Sequence, residues 1–262
     1  MNNLAKISSG IFALSVLGCV VVMDVRAPFD AQHEVKDIST LQIQLPETQI
    51  HIEGKPSSTL AYKGAWLAVG GTKAEAKRNA ELSSLRFETV ADLARLHAEI
   101  PLDASSLVEL EMGAIDVPEN IDLEIQGSGD TLVNSMTAYV SIDLEEGDVE
   151  LRGAGGAVVY TGSGDVDVTS SGHVDIVTEH GAVVVQQMRA QSDVYVSAGG
   201  DVVVELVTDL DVEFVLSSDK TILVDTPQVT SFTSGSYLRT LGSGGVTVQV
   251  VASGSIKVVS KN

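Results

Sequence analysis

From Gly147 onward, apolar and polar residues alternate in short runs, each opened by a glycine or a polar stand-in. In Gly164–Ser171 (GDVDVTSS), Val166 and Val168 fall on one side of an extended strand and Asp165, Asp167 and Thr169 on the other, because strand side chains alternate. The same phase returns at Val174 and Ile176, Val183 and Val185, Val194 and Val196, and Val202 and Val204. Gly147, Gly156, Gly164, Gly172, Gly181 and Gly200 punctuate the runs, and Ser192-Asp193-Val194 fills the one gap. Gly245-Val246 and Gly254-Ser255-Ile256 carry the unit to the C-terminus. Short β-branched strands cut by regular turns are the signature of a strand repeat.

One line of small β-branched residues facing inward suits a narrow interior of stacked Val and Ile. The turns lack the two-residue Asn-Gly or Asp-Gly loops of hairpins, so a parallel β-solenoid is expected ahead of an antiparallel sandwich or barrel. Two or three units per coil are both compatible with the spacing. Proline placement agrees. Pro28, Pro46, Pro56, Pro101 and Pro118 precede the repeat and only Pro227 follows its start; a residue without an N–H is unsuited to a central strand.

Upstream the pattern is rougher. Leu41, Ile43 and Leu45 alternate, as do Ile50 and Ile52, and residues 59–68 form a further strand around Trp66. Residues 73–83 are polar, Ala-rich and free of Gly and Pro, with Thr72 and Glu75 spaced as a capping box, which predicts one short helix. Strands are expected again at 85–90, 93–99, 106–113 and 121–126. The expected fold is therefore all-β, a parallel β-solenoid with one short helix near 73–83. Its parts are a signal segment 1–18, a tether 19–36, an irregular strand region 37–118 and a regular repeat 119–262.

The signal segment has Lys6 before an apolar run of Ile11, Phe12, Ala13, Leu14, Val16 and Leu17, as secretion signals do. Val16-Leu17-Gly18-Cys19 resembles the bacterial lipobox. That signature implies Cys19 as the first mature residue, with diacylglycerol on its thiol and an acyl chain on its amine. Each buried CH₂ contributes ~0.8 kcal/mol, so several chains hold a protein on a membrane. An uncleaved anchor fits less well: Ile11 to Val22 is short of the roughly 20 residues that span a bilayer. An incidental thiol in an ordinary signal is the other alternative. Val20 after the cysteine, rather than Asp, resembles the outer-membrane sorting pattern.

LEIQGSGD (123–130), EEGDVELRG (145–153), YTGSGDVDVTSSGHVDI (160–176) and SAGGDVVVEL (197–206) are similar to a bacterial adhesin-like family with Gly-Asp-Val strand repeats. The step Val117-Pro118-Glu119-Asn120-Ile121-Asp122-Leu123 resembles the entry into that repeat. The resemblance implies a β-solenoid and an exported or lipid-anchored protein. It transfers no catalytic residue.

Charge and candidate chemistry narrow the function. The chain has 262 residues with 16 Lys and Arg against 36 Asp and Glu, a net charge of −20, which excludes a nucleic-acid partner that needs clustered cations. A single Cys excludes an intrachain disulfide. Aromatics at 4% offer little stacking surface for a sugar cleft. No P-loop, Gly-x-Ser-x-Gly elbow or His-Glu-x-x-His is present. Of His33, His51, His97, His173 and His180, only His173 and His180 sit near a third ligand type, Glu179, and these read as solvent-facing turn residues. No metal or cofactor is assigned. Asp148 and Asp165, and likewise Glu150 and Asp167, would stack if two units make a coil. Ca²⁺ could relieve their repulsion, but the tandem glycine turns of calcium-binding rolls are lacking, so a solvated, edge-protecting acidic face is expected. Phe232 and Tyr237 are expected to cap the last rung ahead of contacting a partner.

These features point to a lipid-anchored, non-catalytic envelope protein, a structural or adhesion module, with the membrane and an envelope glycan or protein as partners. A polysaccharide lyase or hydrolase on a β-helix is the enzymatic alternative, with carboxylates in a groove. A self-assembling envelope scaffold is the third reading.

Overall fold

The structure, a computed structural model, describes residues 22–102, 104, 107–187, 192–207 and 211–261. The signal segment and Cys19 lie outside the described residues. The N-terminal part holds β1 (Met23–Glu34), β2 (Thr40–Gln44), β3 (Ile50–Lys55), β4 (Thr59–Gly70), α1 (Lys73–Leu82), β5 (Ser84–Val90), β6 (Leu93–Glu99) and β7 (Val108–Pro118). Ten short strands follow: β8 (Asp122–Gly127), β9 (Thr131–Asn134), β10 (Tyr139–Glu146), β11 (Val149–Ala154), β12 (Gly156–Ser163), β13 (Val166–Ser170), β14 (Val174–His180), β15 (Val183–Gln187), β16 (Val194–Ala198) and β17 (Val202–Val207). The C-terminal part is β18 (Val212–Thr226), β19 (Val229–Leu241), β20 (Val246–Ala252) and β21 (Ile256–Lys261).

The ten short strands sort into two parallel columns. In one, Leu123, Val140, Ala157, Val174 and Val194 are successive partners. In the other, Thr131, Val149, Val166, Val183 and Val202 are. Two strands therefore make one repeat, which resolves the choice left open by the spacing. The inward residues of both columns, from Val140 and Val149 to Val202 and Val204, are almost wholly buried in one continuous core.

All 21 strands among the described residues belong to one continuous sheet. It is an open ribbon that folds back at β18. Residues 212–218 of β18 pair with β20, at the end of the first column, and residues 222–225 pair with β21, at the end of the second. The rungs do not follow sequence order at either end. β2 and β3 lie between β8/β9 on one side and β6/β7 on the other. β20 and β21 lie between β16/β17 and β18.

The edges are antiparallel: β5 on β6, β1 on β4 on β7, and β19 on β18. Thr72 accepts the Glu75 N–H at 3.2 Å, and Glu75 Oε2 accepts the Gly71 N–H at 3.0 Å, so the helix starts where the capping box predicts. Ala76 and Ala80 are its buried face.

Three expectations change. Residues 23–34 of the expected tether are a sheet strand, with Val25 buried and Pro28 tolerated because β1 is an edge. The expected irregular region includes two regular rungs, since Leu41 registers with Leu123 and Ile50 with Thr131. Within the expected regular repeat, β18 and β19 instead form a long antiparallel hairpin, because its tight turn at Thr226–Val229 contains Pro227 and Thr226 Oγ1 accepts the Val229 N–H.

Candidate functional surface

The Gly-Asp-Val unit is a corner device. At Gly147 (φ 133°) and Gly164 (φ 141°) the backbone takes a conformation that L side chains rarely adopt. A Cβ at Gly164 would overlap the Gly147 carbonyl, and one at Gly181 would overlap the Gly164 carbonyl. The corners therefore stack backbone on backbone. The next residue ties each corner to its neighbour. Asp130 Oδ1 accepts the Asp148 N–H at 3.1 Å, Asp148 Oδ1 accepts the Asp165 N–H at 2.8 Å, and Asp165 Oδ1 accepts the Ala182 N–H at 2.8 Å. Asp201 does the same for Ser255 at 2.7 Å, and in the other column Asp122 serves Tyr139 at 3.1 Å and Asp193 serves Thr247 at 2.7 Å. The residue that follows each of these aspartates, valine in four of the six, enters the core.

The two acidic pairs singled out in the sequence thus differ. Asp148 and Asp165 are joined through main chain, a role that an acid at a turn does not announce, since a solvated acid reads identically. Glu150 and Asp167 are direct cross-strand neighbours as the spacing suggests, and Arg152 pairs with Glu150. A shallow recess of about 570 Å³ lies over this face, lined by Leu132, Glu150, Asp167 and Val184. His173 precedes β14 and His180 is its last residue, so the two sit at opposite ends of the strand and do not converge. His173 lies beside the Tyr195 ring, centroids 5.5 Å apart, while Glu179 accepts the Tyr160 hydroxyl at 2.9 Å. That bond and the negative carboxylate raise the Tyr160 pKa. Among the described residues no group of three or more His, Cys, Asp and Glu could hold a metal ion.

The outer face of the first column carries exposed apolar side chains. Tyr160 and Val177 are neighbours in register, Val251 flanks Ser197 and Ser217, and Val215 is opposite Leu238. Leu238 is 73% exposed and Phe232 74%. Phe232 therefore does not cap the core; Tyr237 does, its ring 6.4 Å from that of the buried Phe214. The far end of the same face is polar: Arg95 donates to Gln42 at 2.8 Å and Gln42 to Glu124 at 2.5 Å.

No family model matches the chain, and no curated protein does. Among solved structures the chain is similar to a "putative cell adhesion protein" of Clostridium sporogenes, at 14% identity and TM-score 0.36, over 90% of this chain and 100% of that one. It is also similar to a "putative adhesin" of Bacteroides fragilis, at 11% identity and TM-score 0.41, over 88% and 96% of the two chains. A "putative adhesin" of Parabacteroides distasonis matches at 9% identity and TM-score 0.29, over 89% and 97%.

Proposed function

We propose that the protein is a non-catalytic module of the bacterial envelope, a parallel β-solenoid rod lipid-anchored through Cys19 at the outer membrane, whose outer faces engage an envelope glycan or protein. The observation that carries this reading is the use of the repeat carboxylates. Asp122, Asp130, Asp148, Asp165, Asp193 and Asp201 each hold a backbone N–H of the adjacent rung. A carboxylate fixed in that way orders a scaffold. A glycosidase needs a pair facing a bound sugar across a gap of about 5–9.5 Å. Exposed Tyr160, Val177 and Val251 on a strongly acidic chain supply apolar contact area of the kind that binding surfaces use.

Two measurements test the reading. Palmitate labelling is expected for the wild type and lost in Cys19→Ala; label retained in that variant removes the anchor. Binding of the purified full chain to isolated envelope glycan and envelope protein fractions is expected to weaken in Val177→Asp. Turnover of any envelope polysaccharide would replace this reading with the enzymatic one.

A further inference from the structure

We infer that β19 is the interface through which two copies of this chain join end to end as a two-fold dimer. The inference stands apart from the anchor and from any glycan or protein ligand.

Three edge strands end the ribbon, and they are not alike. β1 carries Asp24, Arg26, Pro28, Asp30 and Glu34, and β5 carries Arg86 and Glu88. Charges and proline on an edge block strand addition. β19 is 13 residues long, contains no proline, and has Arg239 as its one charged residue. Among the described strands it pairs with β18 alone, so the main-chain groups of its far side form an unguarded edge.

What fits that edge is written in β19 itself. Its outward residues are Thr230, Phe232, Ser234, Ser236, Leu238 and Thr240, symmetric in character about Gly235. An antiparallel pairing of two copies about an axis at Gly235 sets Phe232 against Leu238, Ser234 against Ser236 and Thr230 against Thr240, each contact made twice. On the inner side it sets Tyr237 against Thr233 and Arg239 against Ser231, with no like charges opposed. The bend supports the same axis. β18 shifts register between Ser218 and Ile222, and Gly235 (φ 82°) opposite turns β19 around the corner. A two-fold axis through the corner superposes one bent strand on the other, and no atom lies within 4 Å of the place a Gly235 Cβ would occupy. The contact is isologous and closes at two copies. The two acidic bodies point away from each other along the common axis.

Sedimentation velocity on the full chain, in density-matched detergent with reductant to keep Cys19 from cross-linking, tests it. The wild type is expected to show a concentration-dependent monomer–dimer equilibrium. Phe232→Lys alone and Leu238→Glu alone should each weaken dimerisation by about tenfold, since each alters two cross-strand pairs. The double variant Phe232→Lys/Leu238→Glu should recover the wild-type constant, because position 232 of one copy faces position 238 of the other. Amide exchange in 229–241 of the wild type should slow with rising concentration, a readout that needs no variant. A wild type that stays monomeric, association that runs past two copies, singles without effect, a double variant without recovery, or exchange indifferent to concentration would each overturn the inference.

Discussion

The Oδ1 of Asp148 accepts the backbone N–H of Asp165 from 2.8 Å away, and Asp165 repeats the contact to Ala182 at the same distance. Two acids that the spacing places next to each other are thereby joined through main chain and not opposed head to head. Removing one carboxylate leaves an N–H at a corner without its acceptor. Asp148→Ala is expected to lower stability by about 1 kcal/mol, the usual net worth of such a bond at a solvated position. Glu145→Ala, at an exposed outward position of β10, should change stability by no more than about 0.5 kcal/mol. Urea midpoints compare the two; equal effects would mean the aspartate contacts add nothing to the ladder.

The corner glycines separate into two kinds. Gly164 has φ 141° and its Cβ would collide with the Gly147 carbonyl, whereas Gly153 has φ 77° and nothing within 4 Å of its Cβ position. Gly153→Ala should cost only the conformational strain, about 1–2 kcal/mol. Gly164→Ala adds a backbone collision that no side-chain rotation relieves, and a loss above about 4 kcal/mol is expected. Thermal unfolding of the two variants side by side gives the answer, and similar losses would show that the corner backbone yields.

The inward rows were legible because one local rule fixes them: Val166, Val168, Val174 and Ile176 alternate with polar residues and are buried. The helix was legible from Thr72 and Glu75 for the same reason. β1 was not, since MDVRAPFDAQHE mixes charge and proline, and only its pairing with β4 makes it a strand. Nor was the order of the rungs. The Asp193–Thr247 and Asp201–Ser255 contacts join residues 54 apart, and nothing local marks that separation. The outward exposure of Phe232 follows from the parity of a hairpin whose bend lies at Gly235, a feature set by tertiary context.

The N-terminal aromatic cluster makes stability depend on pH. The His33 ring stacks on Phe87 at 4.1 Å and on Tyr62 at 5.7 Å, and its Nε2 lies 3.1 Å from the Tyr62 hydroxyl. Burial lowers the His33 pKa from its ordinary 6.5. The unfolded chain then binds the proton first as pH falls, so this residue subtracts stability from about pH 6.5 downward until the folded pKa is passed, and nothing above it. Urea midpoints measured across that window should fall with pH in the wild type and fall less in His33→Phe. A parallel decline in both would assign the dependence to other groups.

Ending the chain before β20 tests the out-of-order rungs. In a stack that follows sequence order, the last strands are an outer rung, and their loss leaves the rest standing. Here β20 and β21 are interior: Val194 pairs with Val248, which sits beside Phe214, and Val202 pairs with Ile256, which sits beside Ile222. Val248, Val250, Ile256 and Val258 are at most 1% exposed. Losing four such side chains forfeits on the order of 6–12 kcal/mol of burial, about the whole stability of a domain. It also exposes the edges of β16, β17 and β18, whose inward residues include Val194, Val202, Phe214 and Ile222. A chain stopped at residue 243 is therefore expected to aggregate or to lose its cooperative unfolding transition throughout. Retention of native amide protection in β10 to β15 by that shortened chain would show that the central columns stand without their late-arriving rung.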